Sequence, residues 1–198
     1  SWGDKFGENG YFYVSYFDSN IGLRNIVYTV VEDRNNYDNI YQSDELGWTG
    51  KIGYNQDSAY FANVYTTNKD EILKSVGFYA IGEDTEYEVY FIENFQGTES
   101  FNTKRLAAKG LLKNAGYYTI KLNDDLIMKK DIKYAVVVYI KTPNSVHPVA
   151  VECKTDVTTD VVIDDGEGYI SANGRSWERV EETQNCNICL KFYTDDME

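Results

Sequence analysis

Between Tyr37 and Trp48 the chain gathers aromatic rings with short acids and amides: Tyr37, Asp38, Asn39, Tyr41, Gln42, Asp44 and Trp48. That mixture suits carbohydrate. A ring covers the apolar face of a pyranose while carboxylates and amides bond its hydroxyls. Trp177, behind Asn173-Gly174-Arg175-Ser176, offers a further ring. The same residues have an ordinary reading, in which Tyr41, Leu46 and Trp48 plug a core and the acids cap turns. The sequence leaves both open.

The acids also suggest a cation. Hard divalent ions take several oxygen ligands, so calcium is the ion that acidic loops of this kind would hold. Asp33, Asn35, Asp38 and Asp44 form one candidate set, and Asp164, Asp165 and Glu167 a second. Neither is an EF-hand. Asp33-x-Asn35 begins like one, but Tyr37 and Asp38 stand where that loop wants Asp or Asn and then Gly. The alternative is a scatter of solvated turn acids.

Cys186 and Cys189 make a Cys-x-x-Cys, but zinc would need two further ligands and only Cys153 and His147 exist. The pair also falls inside a strand-like run, where residues three apart point to opposite faces. Ordinary packing or a disulfide is the better expectation, and an odd count leaves at least one thiol free. Paired carboxylates of a glycosidase are conceivable in so acidic a chain, yet no pair is singled out.

These residues must be carried by strands. Ile26–Val31, Ala59–Tyr65, Ser75–Ile81, Tyr87–Ile92, Tyr117–Leu122, Tyr134–Ile140, Val149–Glu152 and Ile188–Tyr193 are short β-branched or aromatic runs between turn-rich segments. Tyr117–Leu122 alternates as a half-buried strand does. Ala135-Val136-Val137-Val138-Tyr139 is continuously apolar, as in a central strand covered on both faces. Only Thr103–Asn114 has a helical pattern, cut short by Gly110 and Gly116. The expected fold is all-β, a β-sandwich of jelly-roll or lectin-like type.

The 198 residues suffice for a large core. A net charge of −13 opposes phosphate backbones and anionic lipid, which argues against nucleic-acid binding. No apolar run approaches the length of a membrane span.

The opening run, Ser1-Trp2-Gly3-Asp4-Lys5-Phe6-Gly7-Glu8-Asn9-Gly10-Tyr11-Phe12-Tyr13-Val14, resembles the closing segment of a papain-family cysteine peptidase. Phe6 stands where a second Trp is common in that family. The resemblance implies a fragment. The catalytic Cys, His and Asn would precede Ser1, the chain would be non-catalytic, and Tyr11–Phe17 would pair within the peptidase β-lobe.

The remainder resembles the lectin-like domain that follows the catalytic domain in clostridial and related bacterial surface cysteine peptidases. The likeness is carried by Asn36–Trp48, Ala62-Asn63-Val64-Tyr65, Val76-Gly77-Phe78-Tyr79, Tyr87-Glu88-Val89-Tyr90 and Gly116–Leu122. It continues through Tyr134–Val138, Tyr169-Ile170-Ser171, Gly174, Trp177 and Asn187–Lys191. It implies residues 1–17 as the end of a peptidase domain, 18–25 as a linker and 26–198 as the sandwich. It also implies an extracellular, cell-surface or wall-associated parent. The expected role is recognition of cell-wall or host glycans. The alternatives are docking against its own upstream peptidase or propeptide, and an independent enzyme.

Overall fold

The computed structural model describes Lys5 and residues 7–20, 26–156, 160–163 and 166–197. The chain divides into two compact units, Ser1–Arg34 and Asn35–Glu198.

In the first unit Glu8 and Tyr11 close a tight turn, exchanging backbone hydrogen bonds at 2.8 and 3.1 Å. Asn9 and Gly10 both have positive φ, 54° and 85°, the left-handed geometry that an Asn-Gly pair supplies most easily. Tyr13, Tyr16 and Phe17 are exposed. Ser1–Asp4 and Phe6, which carry part of the peptidase likeness, and residues 21–25 of the expected linker lie outside the described residues. The strand expected over Ile26–Val31 is not formed. Its alternation is strand-like, but a strand needs a partner edge for its backbone groups, and local pattern does not supply one.

The second unit is an antiparallel β-sandwich. One sheet has the order β11-β10-β3-β8-β5-β6, built from β3 (Ser58–Thr66), β5 (Thr85–Ile92), β6 (Arg105–Leu112), β8 (Lys133–Lys141), β10 (Gly168–Ser171) and β11 (Glu178–Arg179). A four-stranded sheet has the order β1-β13-β4-β7, from β1 (Asn39–Tyr41), β4 (Glu71–Ala80), β7 (Gly116–Met128) and β13 (Leu190–Asp196). A three-stranded sheet, β12-β9-β2, joins β12 (Cys186–Ile188), β9 (Val149–Cys153) and β2 (Gly50–Ile52). The chain runs from β12 into β13 through Cys189, whose amide donates to Ala150 O at 3.3 Å.

The main core lies between the sheets, where Phe61, Phe78, Val136, Val138, Ile188 and Phe192 are fully or almost fully buried. Alternate residues of β8 point the other way. Ala135 and Val137 join Phe95 and Phe101 in a second cluster under a short 3-10 helix, Thr98–Thr103. The continuously apolar run of β8 is thus the central strand of its sheet, covered on both faces.

Residues 105–112 form an edge strand rather than the helix their pattern suggested. Ala107, Ala108 and Leu112 turn inward. Gly110 lies beneath Tyr87, where a Cβ would come within 2.7 Å of the phenol oxygen. Tertiary contact here overrides local pattern.

Cys153 and Cys186, opposite each other on β9 and β12, form a disulfide, and Cys189 is free and buried. Gly50 on the adjacent strand makes room, since a Cβ there would meet Cys153 Sγ at 2.9 Å. Cys186 and Cys189 do not share a face, as the strand spacing required.

Candidate functional site

The outward face of the four-stranded sheet is an aromatic surface. Tyr79 on β4 and Tyr117 on β7 stand directly opposite each other, with ring centroids 4.9 Å apart. Trp48 leans on Tyr79 at 5.7 Å, and Tyr37 on Tyr193 of β13 at 5.0 Å. The hydroxyls of Tyr117 and Tyr193 meet at 2.5 Å. Five rings from three strands and two loops therefore form one continuous row, with Trp48 42% and Tyr117 38% exposed.

Glycines permit this row. Gly47, with φ of 72°, folds the loop over Tyr79, where a side chain would strike the phenol oxygen at 2.9 Å. Gly77 on β4 leaves a hollow between Tyr117 and Tyr193, and a Cβ there would lie 1.9 Å from the Tyr117 hydroxyl. Burial pushes the Tyr79 and Tyr117 phenols above the ordinary 10.0, and Tyr193 raises Tyr117 further. Both remain neutral and able to donate or accept at physiological pH.

Polar groups at the edge of the row are held by each other. Lys191 Nζ lies 2.8 Å from Asp44 Oδ2 in ion-pair contact and donates to Asp44 O at 3.1 Å and to Gln42 Oε1 at 3.0 Å. Asp44 is buried. Desolvation raises its carboxyl above the usual range against the opposing pull of Lys191. Behind it, Glu152 accepts from the Leu46 amide at 2.5 Å and from Asn187 Nδ2 at 2.8 Å. Asn187 also donates to Ser43 O at 2.9 Å. Buried polar contacts thus pin the 43–46 loop.

The sequence candidates therefore separate. Tyr37 and Trp48 stand at the two ends of the aromatic row, and the Tyr37 hydroxyl donates to Ser75 Oγ at 2.9 Å. Gln42 and Asp44 anchor the loop at its edge. Asp38 and Asn39 bind the end of β13, accepting from the Asp196 amide at 3.0 Å and donating to Asp196 Oδ1 at 2.8 Å. Tyr41 behaves as a core residue. Its ring lies 5.7 Å from Tyr65, and its hydroxyl donates at 2.7 Å to buried Glu71, which also accepts from Thr194. Leu46 and Trp48 are exposed, so two of the three suspected core plugs are on the surface. Trp177, in the loop before β11, packs against the second core cluster, stacked on Phe101 at 4.0 Å.

Among the described residues no three His, Cys, Asp or Glu side chains gather to hold a metal ion. Asp38 and Asp44 are engaged with Asp196 and Lys191, and Asp164 and Asp165 lie outside the described residues. Tyr79, Tyr117, Tyr193 and Lys191 are absent from the sequence candidates. Their signal was alternation within strands: Ser75, Gly77 and Tyr79, Tyr117 and Thr119, and Lys191 and Tyr193 each occupy one face.

The fold is thus an antiparallel β-sandwich built of three sheets, one of which carries an aromatic outer face. The model of the family described as "Lectin like domain" matches residues 40–194, and the chain belongs to that family. No curated protein matches its sequence. Among solved structures, the clostridial cysteine protease Cwp84 after propeptide cleavage is similar at 27% identity and a TM-score of 0.66. That likeness covers 80% of this chain and 40% of that one. The cysteine protease and lectin-like domains of Cwp84, a surface-layer-associated protein of Clostridium difficile, are similar at 26% identity and a TM-score of 0.58. The coverage there is 71% of this chain and 33% of that one. The chain thus spans well under half the length of these neighbours.

Proposed function

We propose that this chain is the non-catalytic accessory part of a surface-associated cysteine peptidase, and that it recognises cell-wall or host glycan through the aromatic face of its four-stranded sheet. The observation that carries the reading is the row from Trp48 through Tyr79, Tyr117 and Tyr193 to Tyr37. Half-exposed rings of this kind give a sugar ring rigid contact area at little entropic cost. Phenol hydroxyls supply its hydrogen bonds. The placement beside a peptidase is supported by the likeness to Cwp84, whose solved chain contains both kinds of domain. A cross-strand disulfide suits an oxidising, extracellular setting.

The second reading is docking of the same face against the chain's own peptidase or propeptide. It is favoured by the same pairing of domains in the similar structure. The test is titration of the 198-residue chain with purified wall polysaccharide and, separately, with the peptidase portion of its parent. Glycan binding that is lost in Tyr79→Ala supports recognition. Saturable binding to the peptidase alone, with no glycan signal, supports docking and removes the first reading.

A further inference from the structure

A cavity of about 460 Å³ opens at one end of the six-stranded sheet. It lies between the segment that leaves β5, residues 94–97, and the turn that enters β8, residues 131–133, with Tyr169 of β10 as a wall. The volume is in the range of small-ligand sites. The two loops are tied to each other, the Phe95 amide donating to Lys133 O at 2.7 Å. The turn is held from behind, where the Asp131 amide donates to Thr67 O at 2.8 Å and Thr67 Oγ1 donates to Lys129 O at 2.8 Å. The cavity is therefore preformed.

Its polar groups are unspent. Among the described residues, the Asp131 carboxylate, the Lys133 ammonium and the Tyr169 hydroxyl have no hydrogen bond or ion pair. Asn94 Oδ1 accepts from Gln96 Nε2 at 2.6 Å, which fixes both amides and leaves Asn94 Nδ2 and Gln96 Oε1 for a ligand. Asn94 and Asp131 reach the cavity from left-handed backbone, with φ of 52° and 59°, a geometry that Asn and Asp tolerate better than most side chains. A Cβ on Gly97 would meet nothing within 4 Å, so the opening there is unobstructed. The half-buried Tyr169 ring is backed by Phe95 at 5.8 Å and Phe101 at 5.3 Å.

A ligand that fits must both donate and accept, because carboxylate, carbonyl, ammonium, amide and phenol all line the space. One carboxylate and one ammonium leave little net field, which favours an uncharged polyol over an ion. The aromatic wall suits the C–H face of a pyranose. A cavity bounded by two loops takes one unit, whereas the open row on the other sheet accommodates a run of them. We propose that this cavity binds the terminal residue of a neutral glycan, Asp131 and Asn94 bonding its hydroxyls and Tyr169 covering its ring. The class of ligand rests on the glycan reading given above, whereas the site is separate from the aromatic row.

The experiment is a heteronuclear NMR titration of the 198-residue chain with the methyl glycosides of glucose, galactose, mannose and N-acetylglucosamine. At least one saturably shifts the amides of residues 94–97 and 131–133, and added salt leaves its affinity unaltered, as for an uncharged ligand. Asp131→Asn, which keeps a residue suited to positive φ, weakens that binding fivefold or more, and so does Tyr169→Phe. Both variants keep the wild-type melting temperature, since the groups altered have no partner in the fold. Tyr79→Ala leaves these shifts unchanged. No saturable shift with any of the four glycosides overturns the site, as does indifference to both cavity variants. Affinity that falls steeply with salt, or glycylglycine bound as tightly as the best glycoside, overturns the assignment to a neutral sugar. Wall-polysaccharide binding lost in Tyr79→Ala, with no cavity shift, refutes this site alone. Cavity shifts with no polysaccharide bound at the aromatic row refute the row alone and uphold this site.

Discussion

Tyr117 and Tyr193 touch hydroxyl to hydroxyl at 2.5 Å although their strands are not neighbours. β4 runs between them, and the contact closes because residue 77 of β4 has no side chain. Gly77→Ala therefore pushes the rings apart at their flexible ends while leaving the core below untouched. We expect a loss of stability of about 1 kcal/mol or less, a changed near-ultraviolet circular dichroism spectrum, and glycan affinity reduced about tenfold, equivalent to ~1.4 kcal/mol. Unchanged affinity in the alanine variant would separate the ring contact from recognition.

Lys191 neutralises a carboxylate that has left water. Lys191→Met strands Asp44, and losing one partner of a buried pair costs about 3–5 kcal/mol. Urea denaturation measures it. The double variant with Asp44→Asn recovers much of the loss, because the uncompensated charge is gone.

The raised carboxyl of Asp44 has a pH signature. A folded pKa above the ordinary 3.8 means that the native state holds the proton longer than the unfolded chain does. Stability from this group is therefore present below 3.8 and declines as pH rises through the folded value. Asp44→Asn lacks the decline, so the stability difference between wild type and variant shifts in favour of the variant as pH increases from that point. Denaturation curves across the acid range, in which that difference instead moves toward wild type, would reverse the assignment. Because Asp44 is committed to Lys191, the substitution also leaves any response of the melting temperature to calcium against chelator unaltered.

The disulfide closes a loop of 33 residues of sequence separation, and loop-closure entropy of that size is worth about 3.5 kcal/mol. Replacing Cys153 and Cys186 by Ser is expected to lower unfolding free energy by roughly that amount. Cys189 remains silent to thiol reagents in the native chain, since burial first and Asp44 next push its thiol well above the ordinary 9.0. One thiol per chain appears on denaturation. Rapid labelling of the folded protein would contradict the buried placement.

Periodicity made the sandwich legible: β3, β5, β8 and β9 fall where β-branched and aromatic runs predicted them, and β8 is central as its unbroken apolar stretch required. Patterns that depend on a distant partner were misleading. Leu106, Ala107, Leu111 and Leu112 read as a helical stripe, but Tyr87 claims the space over Gly110 and fixes a strand. Within Tyr37–Trp48 the composition pointed to recognition, yet not to direction. Tyr41 turns inward to Glu71, and Asp44 is spent on Lys191. The other half of the aromatic face comes from residues more than thirty positions away, joined only by strand register.

Binding of purified wall polysaccharide to wild type, Tyr79→Ala, Tyr117→Ala and Tyr41→Phe tests the central claim most directly. We predict tenfold or greater loss in both alanine variants and retention in Tyr41→Phe, whose ring faces the core. Full binding by the Tyr79 and Tyr117 variants, or none by wild type, would contradict recognition through this face.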